Sequence, residues 1–264
     1  MGSIRFENAG KIYGSGPGAF QALQNVTLDV REKEFVAIVG PSGCGKTTCL
    51  RMVAGFEPVT SGRVMVNGQD VTAPGPDRAV VFQQFALFPW KTVAENIEFG
   101  LRNKGLPKGE RQSLVEGALQ LMGLESHASA YPHQLSGGMQ QRVAIARAYV
   151  LDPAVLLMDE PFGALDAQTR VVMQEELVRL ARVQPRTVLF ITHGVEEAVY
   201  LADRVAIMTK RPGRIKEVVD VRAIREAEKW DSLERIEDVM DTESFIHLRT
   251  HIWKSLREEK GASK

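Results

Sequence analysis

The sequence predicts an α/β fold with a mostly parallel sheet, an antiparallel β part at the N-terminal end and an inserted helical part. Three observations predict it. β-prone apolar runs alternate with helix-period segments through most of the chain, the order that builds parallel sheets with crossover helices. Phe35-Val36-Ala37-Ile38-Val39 is apolar at every position, as a strand covered on both faces requires. Earlier segments instead alternate apolar and polar residues, the pattern of strands with one wet face. At 264 residues with 44% hydrophobic content, the chain can bury a sizeable core.

The elements follow in order. Ile4-Arg5-Phe6 and Val26-Thr27-Leu28-Asp29-Val30 read as strands flanking a glycine-rich loop, Gly14 to Gly18. Beyond the run 35–39, a helix is expected from Thr47 to Ala54, closed by Gly55. Val64-Met65-Val66 leads into Asn67-Gly68, a two-residue hairpin turn. Residues 87–152 read as a helical lobe inserted in a main unit spanning 1–220, with Leu114, Val115, Ala118, Leu119 and Met122 sharing one face. Strand runs return at Val155–Met158, Val188–Ile191 and Val205–Met208. Between the first two lies a helix from Gln168 to Val183, striped by Val171, Val172, Leu177, Leu180 and Ala181. The charged extension 221–264 ends in Phe245, Leu248, Ile252, Trp253 and Leu256 at helical spacing, an apolar stripe expected to dock on the chain's own core.

Three motifs carry chemistry. Gly40-Pro41-Ser42-Gly43-Cys44-Gly45-Lys46-Thr47 matches Gly-x-x-x-x-Gly-Lys-Ser/Thr and sits between a strand run and a helix run. A random chain of this length carries that pattern with odds of about 1 in 100. Its glycines let backbone N–H groups converge on a phosphate, Lys46 adds a positive charge, and the Thr47 hydroxyl suits Mg2+. The helix that follows aims its positive dipole end at the same point. Next, Val155-Leu156-Leu157-Met158-Asp159-Glu160 delivers two carboxylates at the C-terminal end of a strand, where parallel sheets bind ligands. Side-chain alternation along that strand points them different ways, one toward a metal and one toward an attacking water. Third, Leu135-Ser136-Gly137-Gly138-Met139 precedes a helix; Ser136 is an N-cap and the two glycines leave N–H groups unshielded for a phosphate.

Composition narrows the partners. Lys plus Arg and Asp plus Glu balance at 33 each, so no global basic field argues for nucleic acid or an anionic membrane. No apolar run approaches the roughly 18 residues of a membrane span. Met1-Gly2-Ser3-Ile4-Arg5 begins neither a signal peptide nor a myristoylation motif, which requires Ser or Thr where Phe6 stands. A cytosolic chain is expected. The two cysteines, Cys44 in the phosphate loop and Cys49 one turn on, suggest neither a disulfide nor a zinc site. An oxidisable Cys44 that blocks nucleotide binding is the alternative to a small loop filler.

Together and in this order, the motifs resemble the ATP-binding cassette family of transport ATPases, nearly to Ile215. Leu-Ser-Gly-Gly shortly before an Asp-Glu strand is what sets that family apart from other P-loop proteins. The resemblance implies an ABC-type P-loop core that hydrolyses ATP with Mg2+. It puts Gly40, Pro41, Ser42, Gly43, Cys44, Gly45, Lys46, Thr47 and Thr48 around the phosphates, Thr47, Gln83 and Asp159 at the metal, and Tyr13 on the adenine, with Phe20 as rival. It makes Glu160 the general base, with His193, Lys46 and Gln83 assisting; Gln84 is the less favoured register for Gln83.

Ser136, Gly137, Gly138 and Asp166 would act across a head-to-tail dimer, closing over the ATP of the second copy. The implied partners are that copy, integral-membrane permease subunits and, indirectly, an extracytoplasmic solute-binding protein, with no nucleic acid. The implied place is the cytoplasmic face of the inner membrane. Leu87-Phe88-Pro89-Trp90 and the run Val195 to Val205 look like the nitrate, sulfonate and taurine import group, with Trp90 near the permease-facing surface. The alternative is a soluble cassette ATPase acting on nucleic acid, ribosomes or metal clusters. Two departures stand out: Met139 where Gln is common, and Gly194 after His193 where Asp is usual. The second puts the hydrogen bonding after His193 in question.

Overall fold

Strand alternation organises both sheets of the computed structural model, which describes residues 2–233 and 235–261. β1 (Ile4–Tyr13) and β2 (Phe20–Val30) pair antiparallel from Ile4↔Val30 to Tyr13↔Phe20, much longer strands than the short apolar runs suggest. β3 (Phe35–Val39) is buried throughout and leads through the phosphate loop into α1 (Lys46–Ala54), which Gly55 closes at φ 78°. β4 (Ser61–Val66) and β5 (Gln69–Asp70) form the expected hairpin, with Asn67 at φ 55° and Gly68 at φ 76°, the left-handed pair its tight turn needs. The first sheet runs β2-β1-β4-β5 and is antiparallel.

The second sheet contains β6 (Arg78–Val81), β7 (Val155–Asp159), β8 (Thr187–Ile191), β9 (Arg204–Met208) and β10 (Ile215–Asp220) in the order β10-β9-β3-β8-β7-β6. All its pairs are parallel except β9 with β10. Successive residues of each central strand enter opposite cores. Leu156 and Met158 join one cluster with Phe35, Ala37 and Phe190; Val155 and Leu157 join the other with Val36, Ile38 and Leu189. The period-2 geometry of a strand thus explains why an uninterrupted apolar run is needed here.

The helices α2 (Val93–Glu98), α3 (Lys108–Leu121) and α4 (Gly137–Tyr149) fill the stretch between β6 and β7. α2 starts with a capping box, Thr92 accepting from the Glu95 N–H and Glu95 from the Thr92 N–H. On α3 the buried stripe is Val115 and Leu119, with Met122 just beyond the helix; Leu114 is exposed, contrary to expectation. α5 (Ala167–Val183) buries Met173, Gln174, Leu177 and Leu180, while Val172 is exposed and Val171 and Ala181 are half-buried. Hydrophobicity alone misplaced that stripe because its centre includes an amide, Gln174, tied to a partner inside.

After α6 (Val195–Leu201) and β10, the extension forms α7 (Arg222–Ala227), α8 (Ile236–Met240) and α9 (Glu243–Gly261). Phe245, Leu248, Ile252 and Leu256, spaced by 3, 4 and 4 along α9, enter the first core as expected. Trp253 does not; it is 37% exposed and its indole N–H donates to Glu196 of α6 at 3.5 Å.

Candidate active site

The loop between β3 and α1 folds because its glycines take conformations other residues resist. Gly43 has φ 74° and Gly45 φ 104°, so consecutive peptides can turn their N–H groups toward the start of α1. A Cβ on Gly40 would stand 2.7 Å from the Cys44 sulfur and 3.0 Å from Cβ of Met208, so the loop lies tight on the sheet. Lys46 is 7% exposed, and its ammonium donates to the carbonyls of Gly40 (2.9 Å) and Pro41 (3.4 Å), which hold it inside the loop. Cys44 and Cys49 are free and buried, and burial pushes both thiols up. They are packing groups with little thiolate, which disfavours the redox alternative for Cys44.

The two carboxylates diverge, but not by strand alternation. β7 ends at Asp159, and Glu160 adopts φ +46°, a left-handed turn pinned by its N–H donating to the Ile191 carbonyl at 2.9 Å. Asp159 accepts from the Thr47 hydroxyl at 3.1 Å; burial pushes its carboxyl up, and the Thr47 hydrogen bond opposes that shift. Glu160 Oε2 lies 3.2 Å from His193 Nδ1. The left-handed residue at the strand end thus places one acid at the phosphate loop and the other at the histidine.

His193 follows β8 and has a largely exposed side chain. The residue behind it is Gly194, whose N–H donates to the Thr192 hydroxyl at 2.9 Å. That hydroxyl donates in turn to Glu197 Oε2, and Gln174 Nε2 donates to Glu197 Oε1 at 2.9 Å. Burial pushes the Glu197 carboxyl up against these hydrogen bonds. Thr192, Glu197 and Gln174 therefore form a hydrogen-bonded chain behind His193 that starts at the Gly194 N–H. Sequence reading missed all three roles; Gln174 on α5 meets Glu197 on α6, a pairing that spacing does not show, and Thr192 joins them from the turn before α6.

A cavity of ≈ 340 Å³ brings the phosphate loop and Glu160 together, lined by Tyr13, Phe20, Ala22, Ser42, Gly43, Gly45, Lys46, Thr47, Thr48, Glu160 and Arg211; Asp159 and His193 lie outside its lining and reach it through Thr47 and Glu160. Tyr13 and Phe20, rivals in sequence, stack on each other with centroids 6.4 Å apart and planes at 13°. Arg211, also missed, caps Phe20 with its guanidinium 4.3 Å from the ring centroid and donates from Nε to the Gly43 carbonyl at 3.1 Å.

The remaining predicted residues lie elsewhere. Ser136 caps α4, its hydroxyl accepting from the Met139 N–H at 3.3 Å, and Ser136 and Gly137 are exposed. A Cβ on Gly138 would meet Cγ2 of Thr169 at 2.5 Å. Thr169 is held by Asp166, which caps α5 by accepting from its N–H (3.0 Å) and hydroxyl (2.7 Å). The Thr169 N–H is the main reason the Asp166 carboxyl stays below its ordinary value. Gln83 is exposed, with its amide nitrogen 3.0 Å from where a Gly163 Cβ would be. None of Gln83, Ser136, Gly137, Gly138 or Asp166 lines the cavity within one chain.

The family model described as ABC transporter matches residues 23–163. The chain belongs to the ABC transporter family. An uncharacterized ABC transporter ATP-binding protein of Methanocaldococcus jannaschii is 49% identical to this cassette over 97% of the chain and 92% of the relative. A nitrate import ATP-binding protein of Synechocystis is 47% identical over 81% and 80%. A taurine import ATP-binding protein of Rhizobium johnstonii is 45% identical over 88% and 87%. The dimeric structure of a post-hydrolysis ATP-binding cassette bound to ADP and Pi superposes with a TM-score of 0.72 at 34% identity, covering 83% of this cassette and 99% of that chain.

Proposed function

We propose that this cassette hydrolyses ATP as the energy-supplying subunit of an importer for a small anion such as nitrate, a sulfonate or taurine. The observation that carries the ATPase reading is a cavity where the phosphate loop meets Glu160, with Asp159 hydrogen-bonded to Thr47 and His193 to Glu160 beside it. The relatives named for nitrate and taurine import support the transport reading.

The chemistry follows from the residues. Lys46 and the loop amides bind the β and γ phosphates, and the aromatic edge of Tyr13 and Phe20 offers a face to adenine. Thr47 and Asp159 present hard oxygen donors 3.1 Å apart, the donor type Mg2+ takes. Among the described residues no cluster of three or more His, Cys, Asp or Glu could hold a metal, so phosphate oxygens and water would complete its shell. When bound, Mg2+ would neutralise phosphate charge. Glu160 accepts the proton of the attacking water at a carboxylate oxygen, and His193 orients Glu160 and the γ-phosphate. Gln83 would join this group on closure.

Within one chain Ser136 and Asp166 cap α4 and α5, but neither they nor Gly137 and Gly138 reach the nucleotide cavity. In a head-to-tail dimer they would close over the ATP of the second copy, a reading supported by the dimeric structural relative. No helix among the described residues is long and apolar enough to cross a membrane. On this reading, supported by the relatives named for import, the cassette works at the cytoplasmic face of the membrane through permease subunits, which receive solute from an extracytoplasmic binding protein.

The test is a tagged pull-down from detergent-solubilised native membranes with and without ATP, read by mass spectrometry. Recovery of a multi-span permease is expected. Recovery of soluble nucleic-acid or cluster-assembly factors alone would overturn transport and favour a soluble cassette ATPase.

A further inference from the structure

The cassette carries a cavity of ≈ 560 Å³ that the ATPase chemistry does not use. It lies where the C-terminal extension meets the N-terminal edge of the parallel sheet. Phe35, the first residue of β3, lines it, whereas the other end of β3 feeds the phosphate loop. Four residue steps of strand separate those ends by about 13 Å, so an occupant here is distinct from bound nucleotide.

The lining is strongly cationic for a chain with 33 basic and 33 acidic residues. Among the described residues, Lys33, Arg179, Arg182, Arg186, Arg222 and Arg225 face it, against only Glu175, Asp203 and Glu226. Two of these acids already have work in the fold, and so do several of the cations: Arg186 pairs with Asp152, Arg225 donates to the Tyr200 and Ala202 carbonyls, and Arg179 donates to the Leu121 carbonyl. Asp203 accepts from the Phe35 N–H at 2.8 Å and pairs with Arg222 at 2.7 Å, and Glu175 accepts from the Ile236 N–H at 3.2 Å. Trp230, Tyr200 and Val239 add an apolar wall. A concave site with an apolar floor and converging cations selects a ligand that is anionic at several points. Its volume lies within the range of small-molecule sites.

We propose that this cavity binds a small organic polyanion bearing phosphate or carboxylate groups, and that its occupancy ties the C-terminal helices to the cassette. The cations come from both sides: Lys33, Arg179, Arg182 and Arg186 from the cassette, Arg222 and Arg225 from α7. Asp203 already links Arg222 and Arg225 to the cassette, and a multivalent anion would add a second bridge between the two sets of cations. Through α5, which Asp166 caps, and α6, which follows His193, the occupant also bears on two elements rooted at the nucleotide side.

The experiment titrates the full-length chain, saturated with ADP, with inorganic pyrophosphate and separately with citrate by calorimetry, alongside thermal unfolding. Saturable one-site binding of at least one probe with Kd below about 1 mM is expected, with Tm rising as the probe is added. Lys33→Glu/Arg182→Glu should weaken it by roughly tenfold or more, Lys33→Ala/Arg182→Gln by less, and salt should weaken all of it. Lys46→Ala, which cripples the phosphate loop, should leave it intact. Absence of saturable binding of either probe, or binding lost in Lys46→Ala but unchanged in the Lys33/Arg182 variants, overturns the site. This readout is independent of ATP turnover, so its failure would leave the ATPase reading standing.

Discussion

Glu160→Gln is the sharpest test of the active site. Gln keeps the length and planar head of Glu160, its backbone bond to the Ile191 carbonyl is unaffected, and an amide can still meet His193 Nδ1, now 3.2 Å from the carboxylate. What is lost is the ability to accept a proton. General-base catalysis contributes about 10²- to 10⁴-fold, which at 1.36 kcal/mol per tenfold is about 2.7–5.4 kcal/mol of barrier. Phosphate release by the variant should therefore fall by roughly 100-fold or more, while equilibrium ATP binding, which rests on Lys46 and the loop amides, stays close to wild type. The assay pairs steady-state phosphate release with equilibrium binding of labelled ATP. Turnover within about threefold of wild type would refute Glu160 as the base. Loss of both binding and turnover would point instead to a structural role for the left-handed turn at residue 160.

Glu197 should leave a signature in stability against pH. Because burial raises its folded pKa, its contribution is full below the ordinary glutamate value of 4.5 and is lost as pH rises through the raised one. Wild type minus Glu197→Gln in urea unfolding should therefore fall across that window, and a flat difference would remove the buried-acid reading. On the C-terminal helix, Ile252→Ala removes a fully buried side chain and should cost about 2–5 kcal/mol, while Trp253→Ala, 37% exposed, should cost less. Equal losses in chemical denaturation would contradict the docking of α9 on the core.

Much of the machinery was legible because it is local. A phosphate loop is a run of consecutive residues whose glycine positions are dictated by backbone sterics, so Gly43, Gly45, Lys46 and Thr47 could be read directly, and the structure puts them around one cavity. The helix cap Ser136 acts within three residues of itself and was equally readable, whereas Asp166, which caps α5 at the same range, entered only through the resemblance. The strand 35–39 declared its double burial by having no polar face. Stripe assignments on α3 and α5 failed at Leu114 and Val172, where a small rotational error about the helix exchanges core for solvent.

By itself the sequence determined the α/β class, the phosphate loop, the pair of acids and the family resemblance, because each is written in neighbouring residues. Only the tertiary structure decided that a left-handed Glu160, not strand alternation, turns its carboxylate toward His193. It also decided that Thr192, Glu197 and Gln174 form a hydrogen-bonded chain behind His193, that Arg211 covers Phe20, and that cations distant in sequence converge at the extension. Apart from those of Thr192, which reach only two and five positions along the chain, those contacts join residues tens to nearly two hundred positions apart, and pairings of that range are fixed by how sheets and helices pack, not by spacing along the chain.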